Sequence, residues 1–66
     1  MTAAEIIANL GGVSAVARQL GIPKTTIYSW RERDLIPEWR QPALLRLALE
    51  KSVTLSTADF PSKVAA

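Results

Sequence analysis

Gly21-Ile22-Pro23 stands between two amphipathic runs that are each too short to hold themselves together. Before it, Val13 to Leu20 puts Val13, Val16, Ala17 and Leu20 at helical spacing on one face, a helix of barely two turns. After it, Lys24 to Arg33 turns Ile27 and Trp30 inward alongside Ile22. Lys24, Thr25, Tyr28, Ser29 and Glu32 then occupy the opposite face. Helices of this length do not persist in water unless something packs on them. Gly21 suits the left-handed conformation that closes a helix. Pro23 is tolerated where a helix begins, because the missing N–H has no intrahelical partner there. Small Ala17 falls where two backbones joined this tightly must cross. Together Ala17, Gly21, Ile22, Ile27 and Trp30 predict a helix-turn-helix over residues 13–33, with its second helix offered to solvent.

The flanks read as more helix. Thr2-Ala-Ala-Glu5 has the form of a capping box, a hydroxyl for an orphan N–H and a carboxylate reaching back. Ile6, Ile7 and Leu10 follow at helical spacing until Gly11-Gly12, which predicts a first helix over about residues 3–10. Asp34 to Pro37 is a connection, and the longest periodic stretch, residues 39–51, is the last helix. Pro42 falls in its first turn, where N–H groups are still free. From Ser52 the composition shifts to Ser, Thr, Ala and Pro. Val53 to Ser56 alternates like a short strand, Ser56-Thr-Ala-Asp59 equally caps a single turn that Pro61 ends, and residues 62–66 are expected to be loose. The expected fold is all-α, with four to five helices: residues 1–51 as the domain, residues 39–51 closing its core and offering a dimer face, and 52–66 as a C-terminal tail.

Composition narrows what such a domain can do. At 66 residues it buries only about 60% of its unfolded surface. It contains neither cysteine nor histidine, so it has no disulfide, no thiolate metal site and none of the commonest general base. We expect no enzyme, no metal and no cofactor. Arg18, Gln19, Arg46 and Glu50 interrupt the apolar runs well short of the ~20 residues that span a bilayer. The start of the chain carries Glu5 and no basic leader, so a cytoplasmic protein is expected, with no membrane partner. Net charge is only +2, but the basic side chains crowd the middle. Arg18, Lys24, Arg31, Arg33, Arg40 and Arg46 face only Glu32, Asp34 and Glu38 there. Double-stranded DNA, met through its major groove, is the partner that suits an exposed helix with this balance.

At this point the segment AVARQLGIPKTTIYSWRERDLIPEWR resembles the small Cro-type repressors of lambdoid phages and their prophage relatives of the YdaS kind. The resemblance spans roughly Gly11 to Leu49. It lies in a leucine-glycine-apolar turn, a recognition helix containing Trp30, and Ile36-Pro37 ahead of the next helix. It implies a lambda-repressor-like domain, a transcriptional repressor that binds operator DNA as a homodimer. The base-reading positions it implies fall on Pro23, Lys24, Thr25, Tyr28 and Ser29, and the phosphate-contacting start of the second helix on Val13 and Ser14. Pro23 departs from the hydroxyl or amide residue usual there and cannot donate. Tyr28 is bulkier than the small polar residue common at its position.

The side chains support those roles independently. Lys24 and Thr25 stand where a helix N-terminus favours phosphate or base acceptors. Lys24 can donate to guanine O6 or N7, and Thr25 can hydrogen-bond a base or touch a thymine methyl. Tyr28 offers a ring with a polar tip, and Ser29 permits close approach. Arg31 and Arg33 suit phosphate better than sequence reading. Arg18 divides evenly between phosphate contact and plain solubility, and Lys24 and Arg31 without the motif would read as a solvated face. Glu32 and Asp34 oppose DNA unless they pair with Arg31 or Arg33, or penalise wrong registers. Trp39 is expected to pack at a helix start.

Leu44, Leu45, Leu47, Ala48 and Leu49 spread apolar area wider than one stripe. One part can close the core over Ile6, Leu10 and Trp30. The remainder suggests a symmetric dimer, with Val53, Leu55 or Phe60 tucked onto the partner, against the plainer reading that every leucine is core. Two rivals stand beside the dimeric repressor. One is a MerR-type or excisionase-like DNA binder, which would need a hairpin wing where residues 39–51 read as helix. The other is an antitoxin or anti-repressor that uses the same fold to hold a protein.

Overall fold

The computed structural model describes residues 1–61, so the expectation for residues 62–66 lies outside the described part. Thr2 opens α1 (Ala3–Asn9) with the predicted box. Its hydroxyl accepts the Glu5 amide at 3.1 Å, and the Glu5 carboxylate accepts the Thr2 amide at 2.9 Å. The next two helices, α2 (Val13–Leu20) and α3 (Lys24–Arg33), have the predicted bounds. Between them the Ile22 amide donates to the Ala17 carbonyl at 3.0 Å and the Gly21 amide to the Arg18 carbonyl at 3.3 Å. This pair of bonds needs a left-handed residue between them, and Gly21 sits at φ 67°. Open space surrounds the position its Cβ would take, so the demand on Gly21 is conformational rather than steric.

The last α-helix begins later than predicted. Glu38–Arg40 forms a 3₁₀ turn, and α4 runs Gln41–Glu50. The cause is Pro42, which has no N–H to offer the Glu38 carbonyl. That carbonyl accepts the Gln41 amide instead, three residues on rather than four. Trp39, on this tight turn, does not pack as expected. It is 72% exposed, and the Arg40 guanidinium lies 4.1 Å from its ring centroid.

All four α-helices end with the same two backbone bonds. The left-handed residue is Gly11 after α1 and Gly21 after α2, but Asp34 (φ 52°) after α3 and Ser52 (φ 57°) after α4. The predicted stops rested on glycine, so these last two carried no such signal. Asp34 is also not the partner of Arg31 or Arg33: its carboxylate accepts the Ala3 amide at 2.8 Å, and Arg31 lies over Tyr28.

One core joins the elements. Ile6, Ile7 and Leu10 of α1, Val16 and Ala17 of α2, and Ile27 and Trp30 of α3 share it with Ile36 and with Leu44, Leu47 and Ala48 of α4. Helix α3 packs against both α1 and α2. The tail contributes as well. Ser56 and Asp59 cap a 3₁₀ turn at Thr57–Asp59, which selects the turn over the strand, and Phe60 enters the core at 7% exposure. Phe60 is therefore not free to reach a partner, and Val53 and Leu55 are partly buried against the same core. The apolar residues have drawn the tail onto its own domain, which is cheaper than leaving them in water. Among the described residues there is no strand, and no helix is long and apolar enough to cross a membrane.

Candidate nucleic-acid interface

Burial of one face of α3 determines what the other presents. Ile27 is fully buried and Trp30 nearly so, which leaves Lys24, Thr25, Tyr28 and Glu32 in solvent and Ser29 half-buried between. Helix α2 is oriented by the same core. Val16 and Ala17 turn inward, so Ser14 and Arg18 face out. The turn at Gly21 folds these two surfaces together. Ser14 and Arg18 of α2 and Lys24 of α3 line one open groove, floored by Ala17, Gly21, Ile22 and Pro23. Two cationic side chains and a hydroxyl from two helices thus share one concavity, an arrangement suited to an anion that follows the surface.

Both helices start without a side-chain cap. Gly12 has none to give, and Pro23 holds extended backbone at φ −64°, ψ 146° with no capping hydrogen bond. Neither first turn carries an acid. The amides of Val13 and Ser14 precede the Val16-to-Gly12 bond, and those of Lys24 and Thr25 precede the Thr26-to-Pro23 bond. Helix N-termini of this kind favour negative charge and present N–H donors to it. By contrast, α1 is closed by Thr2, Glu5 and Asp34. The Thr2 amide, and then its hydroxyl, hold the Glu5 carboxyl below its ordinary value, so Glu5 is spent on its own helix.

The remaining expected residues divide. The Arg31 guanidinium lies 4.8 Å from the centroid of the Tyr28 ring, one turn back on the exposed face. Arg33 stands apart from Lys24: nine residues on, it is about 13 Å further along α3 and half a turn around it. Sequence reasoning missed the Trp39–Arg40 pair, because its helical register assumed α4 began at Trp39. The run of two prolines bracketing residues 38–41 was the available signal for a tighter turn there. It also gave no hint that the α3 N-terminus is uncapped beyond the identity of Pro23. Among the described residues no group of three carboxylates could hold a metal ion.

Comparison with known proteins adds one finding. A family model described as DNA-binding transcriptional regulator Cro matches residues 2–48 of the 66. The matched span begins at the Thr2 cap, contains the whole of α1 to α3 and ends within α4. No curated protein and no solved structure matches the chain.

Proposed function

The chain belongs to the Cro family of DNA-binding transcriptional regulators, and from that premise we propose that it is a repressor holding a pseudo-palindromic operator as a homodimer. The observation that carries this reading is the joined surface of α2 and α3: Ser14, Arg18 and Lys24 around one groove, with Thr25 and Tyr28 exposed beside it. In the complex α3 lies in the major groove. Lys24 donates to guanine O6 or N7, Thr25 meets a base or a thymine methyl, and Tyr28 and Ser29 follow along the base edges. Ser14, the Val13 amide and Arg18 hold phosphate on the α2 side, while Arg31 and Arg33 grip it towards the far end of α3. Residues 1–51 carry DNA binding, and the segment from Ser52 to Phe60 braces their core.

Two copies place their recognition helices in successive major grooves about 34 Å apart. Leu49, 81% exposed, and half-buried Leu45 one turn before it supply apolar area on α4 for that pairing. Bound across a promoter, the dimer excludes polymerase, in the cytoplasm of a bacterial cell or a phage-infected host. A MerR-like or excisionase-like wing has no place here, since residues 38–50 are helical.

Selection from a random duplex library at low and near-physiological salt tests the proposal. A two-fold symmetric site with half-sites one helical turn apart is the expected product. A single asymmetric site removes the dimer but keeps the DNA reading. No enrichment at either salt overturns it in favour of an antitoxin-like or anti-repressor module that binds a protein.

A further inference from the structure

On the exposed face of α3 the Arg31 guanidinium rests over the Tyr28 ring. The two residues are one turn apart, so their side chains meet on the helix surface. The guanidinium sits 4.8 Å from the ring centroid, within the range where the negative face of the ring attracts a cation. Both residues are exposed, Tyr28 at 44%, and neither belongs to the core cluster. The pairing therefore contributes little to folding, and its effect falls on where the Arg31 charge is held. A free arginine must surrender rotamer freedom on binding phosphate. An arginine already resting on a ring has given part of that up beforehand.

We propose that Tyr28 is a positioning residue: its ring, not its hydroxyl, holds Arg31 ready for a DNA phosphate. The inference rests on the DNA-binding reading and changes the role of one residue within it. Tyr28 stands where a base-reading side chain is expected, yet its ring face is engaged by Arg31. Lys24 completes this flank one turn before Tyr28, so the stripe Lys24–Tyr28–Arg31 carries two cations with an aromatic spacer between them. The base-reading load then falls on Lys24, Thr25 and Ser29.

The test is a double-mutant cycle on operator affinity, using the selected duplex and the 66-residue chain. Tyr28→Phe, Tyr28→Ala, Arg31→Ala and the Tyr28→Ala/Arg31→Ala double variant are each measured across a salt series. Tyr28→Phe keeps the affinity and the salt dependence of the parent. Arg31→Ala lowers the slope of log affinity against log salt by about 0.9, the loss of one phosphate contact. Tyr28→Ala weakens binding about 2- to 5-fold while Arg31 is present, lowers the slope in the same direction, and adds almost nothing once Arg31 is gone. Unchanged far-UV circular dichroism and unfolding midpoints separate these effects from a folding defect. Additive losses in the double variant overturn the proposal, as does Tyr28→Phe failing as badly as Tyr28→Ala. Parent chain that retains no duplex at low salt overturns the DNA reading itself, whereas additive losses on a chain that binds leave that reading standing.

Discussion

Asp34 Oδ1 accepts the Ala3 amide at 2.8 Å, so the residue that ends α3 also caps the start of α1. The contact spans 31 residues and ties the far end of α3 to the N-terminal helix. It also explains how a residue other than glycine holds the left-handed conformation at φ 52°. Aspartate tolerates that conformation better than most residues, and the hydrogen bond offsets the remaining strain. Asp34→Ala should lower the unfolding free energy by about 1–2 kcal/mol, the loss of a helix cap with some added backbone strain. Asp34→Asn should keep most of it, because the amide oxygen still accepts. Urea denaturation of the two variants reads the difference directly.

Gly21 makes the opposite case. No neighbour crowds its Cβ position, so Gly21→Ala should cost only the left-handed conformation, roughly 1–2 kcal/mol. The midpoint of urea unfolding should fall with no change in its slope. A slope change would mean that the joint between α2 and α3 had rearranged.

The two tryptophans should report opposite environments. Trp30 is buried at 5% exposure, and Trp30→Ala should destabilise the domain by about 3–5 kcal/mol. Trp39 is 72% exposed, and Trp39→Ala should stay within about 0.5 kcal/mol of the parent. In Trp30→Phe the remaining fluorescence should be readily quenched by iodide, and in Trp39→Phe it should be protected. Protection of Trp39 would place a partner or a second copy over the 3₁₀ turn.

Stability should fall in acid through the first capping box. The Thr2 amide and hydroxyl favour ionised Glu5, so its carboxyl is held low in the folded chain. A depressed carboxylate contributes stability above its ordinary unfolded value and loses it as pH falls through the lower folded one. The advantage of the parent over Glu5→Gln should be complete near neutral pH and vanish in stronger acid. Unfolding midpoints of both chains between about pH 7 and pH 2 check the sign.

On DNA, the positions should separate by what they touch. Lys24→Ala should cost roughly 1–3 kcal/mol and relax preference at one base pair. Arg18→Ala should weaken all duplexes about equally and reduce the salt slope by about 1. Titrations of the selected site and a scrambled duplex over a salt series distinguish the two.

Much of this architecture can be read along the chain. The Thr2–Glu5 box, the helices 13–20 and 24–33 and the joint at Gly21 are local devices, each made by residues within a turn of one another. Their spacing alone also turns Ile27 and Trp30 inward and so exposes Lys24, Thr25 and Tyr28, which made most of the candidate surface legible. Local spacing thus sets the course of α1, α2 and α3 and which face of each is apolar. Tertiary packing decided the rest. Only packing could choose whether Phe60 covers its own core or a partner's, because burial rewards either equally per unit of area. Only it could send the Asp34 carboxylate to Ala3, since a carboxylate accepts from whichever donor the fold brings within 3 Å. Trp39 is the opposite case, decided locally by a proline three residues on. Pro42 denied the Glu38 carbonyl its α-helical partner, the turn tightened, and a ring that periodicity placed inside was left in water.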